Sequence, residues 1–236
     1  MKRLSLLTIA IFAVLVLSMP TKASPAGVLN IGVCPLGGMT LTGTTIDFTL
    51  PDGGGTGCTV TSGGTNVTYT GGGPLGSNIQ GQIKDLVGNS PVVDFMTFTG
   101  NPNLHFDLTS LGPGLANTTC TGLGLGQACS PFAGSPIILT NIGTGTAVTF
   151  NAAGVARDQS AETSQWSGAF TTQTAFSVAL LQSVINKQGA AFSAPYSGSF
   201  TFTSGPASVP EPTTMLLLGS GLTGIVIKVR KRRKAV

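Results

Sequence analysis

Through the middle of the chain, apolar and polar residues alternate with the period of two that a half-buried β-strand requires. Thr45-Ile46-Asp47-Phe48-Thr49-Leu50 shows the pattern, and residues 27 to 50 as a whole read as strands. Short strands follow at Thr59-Val60-Thr61 and Asn66 to Thr70, between breaks at Pro51-Asp52-Gly53-Gly54-Gly55 and Gly71-Gly72-Gly73-Pro74. The spacing of Ile79, Ile83 and Leu86 predicts a short helix or a loop over Leu75 to Leu86. Val92 to Thr99 and Leu104 to Thr109 predict a hairpin turning at Gly100-Asn101-Pro102-Asn103. In it Leu104, Phe106 and Leu108 share one face, and His105 and Asp107 the other. A second pair, Ile137 to Asn141 with Thr146 to Ala156, turns at Gly143-Thr144-Gly145. Further strands are expected at Ser167 to Thr174 and Ala194 to Thr203. Between them Phe176, Ala179, Leu180, Ser183, Val184 and Lys187 recur at three and four, the spacing of one amphipathic helix ended by Gly189.

Many short strands, Gly and Pro turns and one short helix predict an all-β fold, an antiparallel β-sandwich of jelly-roll type. Phe48, Phe95, Phe98, Phe106, Phe150, Phe170, Phe200 and Phe202 recur from strand to strand and are its expected core.

The two ends break this pattern. Met1-Lys2-Arg3 followed by an apolar run from Leu4 to Leu17 and the small-residue site Thr21-Lys22-Ala23 predicts a secretory signal peptide. Signal peptidase is expected to cut after Ala23, with Ser24-Pro25-Ala26 as a second site. At the other end come Val209-Pro210-Glu211-Pro212, an apolar stretch from Thr213 to Ile227, and the basic run Lys228 to Lys234. Pro210 and Pro212 fix φ and remove two backbone donors, so the segment stays extended and open to a processing enzyme. The apolar stretch is shorter than the roughly 20 residues that span a bilayer comfortably. The basic run marks a cytoplasmic end, which puts the body of the protein on the other side of the membrane. The expected organisation is a signal peptide over 1–23, a β-domain over 24–204, and a linker with a hydrophobic helix and basic tail over 205–236.

This tripartite tail resembles the PEP-CTERM sorting signal of Gram-negative bacteria. The resemblance rests on Val209-Pro210-Glu211-Pro212, on Leu216-Leu217-Leu218-Gly219-Ser220-Gly221-Leu222, and on Lys228 to Lys234. It implies recognition by exosortase, a membrane protease or transpeptidase that cuts near the Pro-Glu-Pro motif. It further implies release from a transient inner-membrane anchor to the envelope or exterior, in the company of exopolysaccharide and biofilm matrix.

Once the ends are set aside, the charge reads differently. The chain carries a formal net charge of +4. Only Lys84, Arg157 and Lys187 of its bases lie in the body, against Asp47, Asp52, Asp85, Asp94, Asp107, Asp158 and Glu162. The basic balance therefore belongs to the targeting segments, and the body offers no basic patch for nucleic acid.

Cys34, Cys58, Cys120 and Cys129 sit in a chain bound for an oxidising compartment, which favours disulfides. The pairings local in sequence, Cys34 with Cys58 and Cys120 with Cys129, are expected. A metal site is not: there is no Cys-x-x-Cys, and the only histidine, His105, is distant from either pair. No cofactor motif is present, because the glycine-rich runs do not open a helix after a strand.

Catalytic candidates are few. A triad must use His105, with Asp94 or Asp107 across the hairpin, and no Gly-x-Ser-x-Gly elbow supports it. Asp94 with Asp107 is also the only carboxylate pair open to glycoside hydrolysis. A lone Trp more often packs in a core than binds a ligand; Trp166, with Tyr69 and Tyr196, is nonetheless the candidate for stacking on sugars. The expected function is a non-enzymatic surface or extracellular matrix protein; the alternative is a carbohydrate-binding module of the exopolysaccharide matrix.

Overall fold

The computed structural model describes residues 25–49, 56–160, 162–187 and 190–204. The expected signal peptide with Ala23, the motif Val209, Pro210, Glu211 and Pro212, and both terminal apolar helices lie outside these residues. The strands are β1 (Val28–Val33), β2 (Gly38–Leu41), β3 (Thr45–Thr49), β4 (Gly57–Thr61), β5 (Gln80–Ile83), β6 (Leu86–Val87) and β7 (Val92–Phe98). They continue with β8 (His105–Leu111), β9 (Ala128–Cys129), β10 (Ile137–Asn141), β11 (Thr146–Arg157), β12 (Ser164–Thr174), β13 (Phe192–Ala194) and β14 (Ser197–Ser204). One helix, α1 (Val178–Asn186), lies between β12 and β13.

The all-β, antiparallel expectation holds, but the sandwich does not. The main sheet runs β12-β14-β1-β4-β5-β7-β8-β11, and β11 pairs back onto β12, closing a barrel. Closure depends on length. β11 spans 12 residues. Along one edge it pairs with β12 throughout, from Thr146↔Thr174 to Ala156↔Ser164. Its other edge takes β10 along its first part and β8 along the rest. Alternation is the same in a sandwich and a barrel, so it fixes which face is buried and leaves closure open. A second sheet, β13-β2-β3-β6, lies beside the barrel.

Three local expectations change. Leu75 to Leu86 forms β5 and β6 rather than a helix, with Gly81 and Ile83 inward between the exposed Gln80 and Gln82. Asn66 to Thr70 shrinks to the bridges Ala26↔Thr68 and Val67↔Leu75. The last strand breaks at Pro195-Tyr196, where the buried Tyr196 hydroxyl donates to the Cys58 carbonyl at 3.0 Å.

The barrel interior is aromatic. Phe150 stacks on Phe170 at 4.8 Å, and Phe170 meets Phe200 edge-on at 5.0 Å. Phe48 carries the second sheet onto this core, against Phe95, Phe170 and Tyr196. Of the expected phenylalanines only Phe202 is half-buried; the others are buried. The outward positions of β12 and β14 are Gln165, Ser167, Thr171, Gln173, Ser197, Ser199, Thr201 and Thr203, all exposed, with the small, half-buried Ala169 among them. An apolar inside with a polar outside is the reverse of a lipid-facing barrel. Among the described residues no helix is long and apolar enough to cross a membrane. Helix α1 is capped by Ser177, whose side chain accepts from the Leu180 N–H, and buries Val178, Leu181 and Ile185.

The strand directions give the barrel two distinct ends. At one end β1 begins and β14 finishes, together with the loop after β4, the β7–β8 turn and the β11–β12 connection. At the other lie the second sheet, α1, β9 and β10, and both disulfides.

Candidate functional site

The residue types able to do chemistry gather on the outer face of β7, β8 and β11. Period two turns His105 and Asp107 of β8 outward, as the alternation predicts, and carries Arg157 outward at the end of β11. A register shift between Val92 and Met96 brings in Asp94, which sits at φ 51°. Aspartate tolerates this left-handed conformation because its short side chain can satisfy local partners. Here the Asp94 backbone N–H donates to Asp107 Oδ1 at 2.7 Å, which fixes the bulge.

Arg157 closes the cluster. Its Nε donates to Asp107 Oδ2 at 2.5 Å and its Nη2 to Asp107 Oδ1 at 2.9 Å, a bidentate clamp. The same Nη2 reaches Asp94 Oδ1 at 2.9 Å, and His105 Nδ1 donates to that oxygen at 2.8 Å. Burial pushes the Asp107 carboxyl up, but the Arg157 hydrogen bonds, the Asp94 N–H and the charges of Arg157 and His105 outweigh it. The carboxyl is held below the ordinary carboxylate range. Arg157 is raised in turn, chiefly by its hydrogen bond to Asp107. This is poor chemistry for a glycosidase pair. The general acid of such a pair needs a raised pKa, and both carboxylates here share one guanidinium. The His105–Asp94 contact anticipated across the hairpin is present, but Arg157 competes for the same oxygen.

The strand expected over Thr146 to Ala156 runs one residue further, to Arg157. One more step of the same alternation places it outward, and it is among the few basic residues of the body.

Trp166 is not a sugar platform. It is 1% exposed, lies parallel to Phe95 at 6.4 Å, and meets Phe200 edge-on at 5.4 Å. Its Nε1–H donates to the Asp107 carbonyl at 3.1 Å, so the polar handle is also used internally. The reason lies across the ladder: Trp166 faces Gly154, whose missing side chain leaves room for the indole. A Cβ there would come within 2.6 Å of the ring. The carbohydrate-binding reading therefore loses the residue that carried it. Tyr196 is buried, and the Tyr69 hydroxyl is bound to Asn101 Oδ1 at 2.5 Å.

The cysteines form the two sequence-local bridges. Cys34–Cys58 has a Cα–Cα distance of 5.6 Å, and Cys120–Cys129 one of 5.4 Å. The first ties the end of β1 to β4. The second staples the loop that carries β9 and walls a pocket of about 370 Å³ between the Gly143–Gly145 turn and the start of α1. Among the described residues no group of three or more His, Cys, Asp or Glu side chains is placed to hold a metal ion.

The two ends of the described chain meet. Ser204 pairs with Ser164 in the β14–β12 ladder. The Ser164 hydroxyl donates to the Pro25 carbonyl, and the Phe202 N–H to the Gly27 carbonyl at 3.2 Å. Pro25 and Ser204 thus lie side by side at one end of the barrel. The family model for the PEP-CTERM protein-sorting motif matches residues 208–233. The chain carries a PEP-CTERM sorting signal. The match begins a few residues beyond Ser204 and takes in Val209, Pro210, Glu211 and Pro212, the apolar stretch and most of the basic run. No curated protein and no solved structure matches the chain. The PEP-CTERM signal therefore speaks for export and sorting, and the barrel stands on its own geometry.

Proposed function

We propose that this chain is a non-enzymatic structural protein of the cell surface or extracellular matrix. Its barrel is delivered by a cleaved signal peptide and freed by exosortase cutting near Val209-Pro210-Glu211-Pro212. The observation that carries this reading is the sorting motif at residues 208–233. Three features support the structural role. The core is densely aromatic, the exported body is bridged twice, and the charged cluster around Arg157 is locked in mutual ion pairs rather than poised to transfer protons. Matrix placement follows from the resemblance of the tail, and no residue of the barrel is assigned to a polysaccharide.

Intact mass of the protein recovered from the host envelope and medium tests the reading. The expected mature species lacks the leader and the basic run, and gains about 4 Da on reduction, two hydrogens for each bridge. Pro210→Ala combined with Glu211→Ala should leave the tail attached. A mature protein that still carries Lys228 to Lys234 would overturn the proposal.

A further inference from the structure

We infer that the face around the first turn of α1 docks a second copy of this chain, each copy setting Leu125 against Phe176 and Leu180 of the other across a two-fold axis. The pairing goes beyond the sorting signal and is independent of how the tail is processed.

The sequence isolates this face by charge. Residues 108–156 and 163–186 contain no Asp, Glu, Lys, Arg or His. They supply the loop between β8 and β10, the turn between β10 and β11, and all of α1. Elsewhere the body carries more acids than bases. Two copies that meet through the charged surfaces bring like charge together, which is costly; two that meet here do not. The same neutrality disfavours other occupants. An anionic membrane is held by basic side chains at the contact, and these segments have none.

The shape is self-complementary. The 370 Å³ pocket beside α1 is walled by Leu123 and the Gly143–Gly145 turn on one side and by Ala175, Ser177 and Ala179 on the other. Exposed apolar side chains border both walls. Leu125 is 77% exposed, and its Cδ1 lies 3.2 Å from where a Cβ on Gly143 would stand. Across the pocket, Phe176 sits between Ala175 and Ser177, and Leu180 follows Ala179; they are 45% and 49% exposed. A ridge and a depression on one face are what an isologous contact requires, and a two-fold axis across the pocket brings each Leu125 onto the helix rim of the other copy. The face is also pre-organised, which lowers the entropy lost on docking. Asn141 Nδ2 donates to the Leu123 carbonyl at 2.7 Å, and the Gly126 N–H to the Asn141 carbonyl at 2.8 Å. Gln182 Nε2 ties α1 to the Thr118 carbonyl at 2.8 Å, and the Cys120–Cys129 bridge fixes the loop beside it. Three apolar side chains a copy make a small contact, so the pairing is micromolar or weaker, and unfolding of dilute protein reads the single barrel.

The test is sedimentation velocity, from submicromolar to submillimolar concentration, on the protein as its host exports it. Intact mass reads the state of the tail, so that only chains of one length are compared. The wild type should show a monomer–dimer equilibrium. Leu180→Asp should weaken it by at least about tenfold, because the contact then buries an unpaired charge. The melting temperature should not fall, since a carboxylate in the first turn of a helix is favourable. Leu125→Lys, at an exposed loop position, should weaken it similarly. Mixing the two variants should restore pairing as a heterodimer: the new carboxylate meets the new ammonium at one contact, and the native leucines meet at the other. A wild type that stays monomeric throughout would overturn the inference. So would a dimer that neither variant weakens, or a mixture that pairs no better than its components. A monomeric wild type that floats with neutral phosphatidylcholine vesicles, while Leu180→Asp does not, would assign the face to lipid instead.

Discussion

The two ends of this barrel solve the same problem differently. The end that carries Pro25 and Ser204 has no disulfide and closes with polar contacts, Asp158 to Thr70, Asn101 to Tyr69, and Asn103 to Gly71. The opposite end holds both disulfides, α1 and the second sheet. It also exposes Leu36, Val87, Val93, Leu115, Leu125, Phe176 and Leu180. Where the strands themselves pair continuously, as β11, β12, β14 and β1 do, hydrogen bonding and the aromatic core suffice. Where the chain makes excursions between strands, covalent staples hold the loops.

The comparison predicts that the barrel core outweighs anything on the excursion surface. Trp166→Ala should cost about 3–5 kcal/mol in denaturant unfolding, the usual range for emptying a large buried site. Gly154→Ala should cost about 1–3 kcal/mol or more, since the added methyl runs first into the Asp107 backbone carbonyl and then into that indole from across the ladder. Leu125→Ser, at a side chain 77% exposed, should stay within about 0.5 kcal/mol. Equal losses at Trp166 and Leu125 would mean that the exposed leucine is covered in solution, and the contrast between the ends would need redrawing.

Removing the bridges asks how far the opposite end depends on them. In the chain-entropy account, Cys34–Cys58, with a sequence separation of 24, stabilises by about 3.5 kcal/mol. Cys120–Cys129, with a separation of 9, stabilises by about 2.7 kcal/mol. Paired Cys→Ser variants should rank in that order by melting temperature. Hydrogen exchange should rise first in the loop between β8 and β10, while the amides of β12 and β14 stay protected. Simultaneous loss of protection at both ends would show that the barrel and its excursions unfold as one unit.

Much of this was legible in the sequence, and the gaps have identifiable causes. Alternation in Leu104 to Leu108 placed His105 and Asp107 outward and the phenylalanines inward. It could not show closure, because the strand that closes the barrel, β11, reads the same whether its second edge finds β12 or solvent. β5 was missed because Gly81 gives an inward position no apolar side chain to register. Packing is the commoner role of a lone Trp, and Trp166 takes it, but the room for its ring comes from Gly154, which is remote in sequence and adjacent only in the ladder. The charged cluster was half-visible: the hairpin offered Asp94 beside His105, while Arg157 arrives from β11 by a long-range pairing. The sorting signal, by contrast, is local in sequence and could be read directly.

The smallest effect sharpens the comparison furthest, because one carboxylate at each end should respond to acid with opposite sign. Asp107 belongs to the Arg157 cluster, and its folded pKa is held below the ordinary value. Its contribution is complete above the ordinary carboxylate range and is lost as pH falls through the folded value. Asp85, between β5 and β6 at the opposite end, accepts the Phe48 N–H at 2.7 Å. Burial pushes its pKa up; that hydrogen bond opposes the shift, and the nearby Asp47 adds to it. Ionised Asp85 therefore weakens the fold near neutral pH, and protonation relieves the cost as pH falls through its raised value towards the ordinary one. Asp107→Asn should lower stability at neutral pH by about 1 kcal/mol, allowing for solvent screening of the half-exposed Arg157, and the deficit should vanish in strong acid. Asp85→Asn keeps an acceptor for the Phe48 N–H and removes the desolvated charge. It should be neutral to slightly stabilising at neutral pH, and lose that advantage on acidification. Urea unfolding of both variants across the acid range checks the pair: two curves that bend the same way would show that net charge, rather than these local environments, governs the acid response.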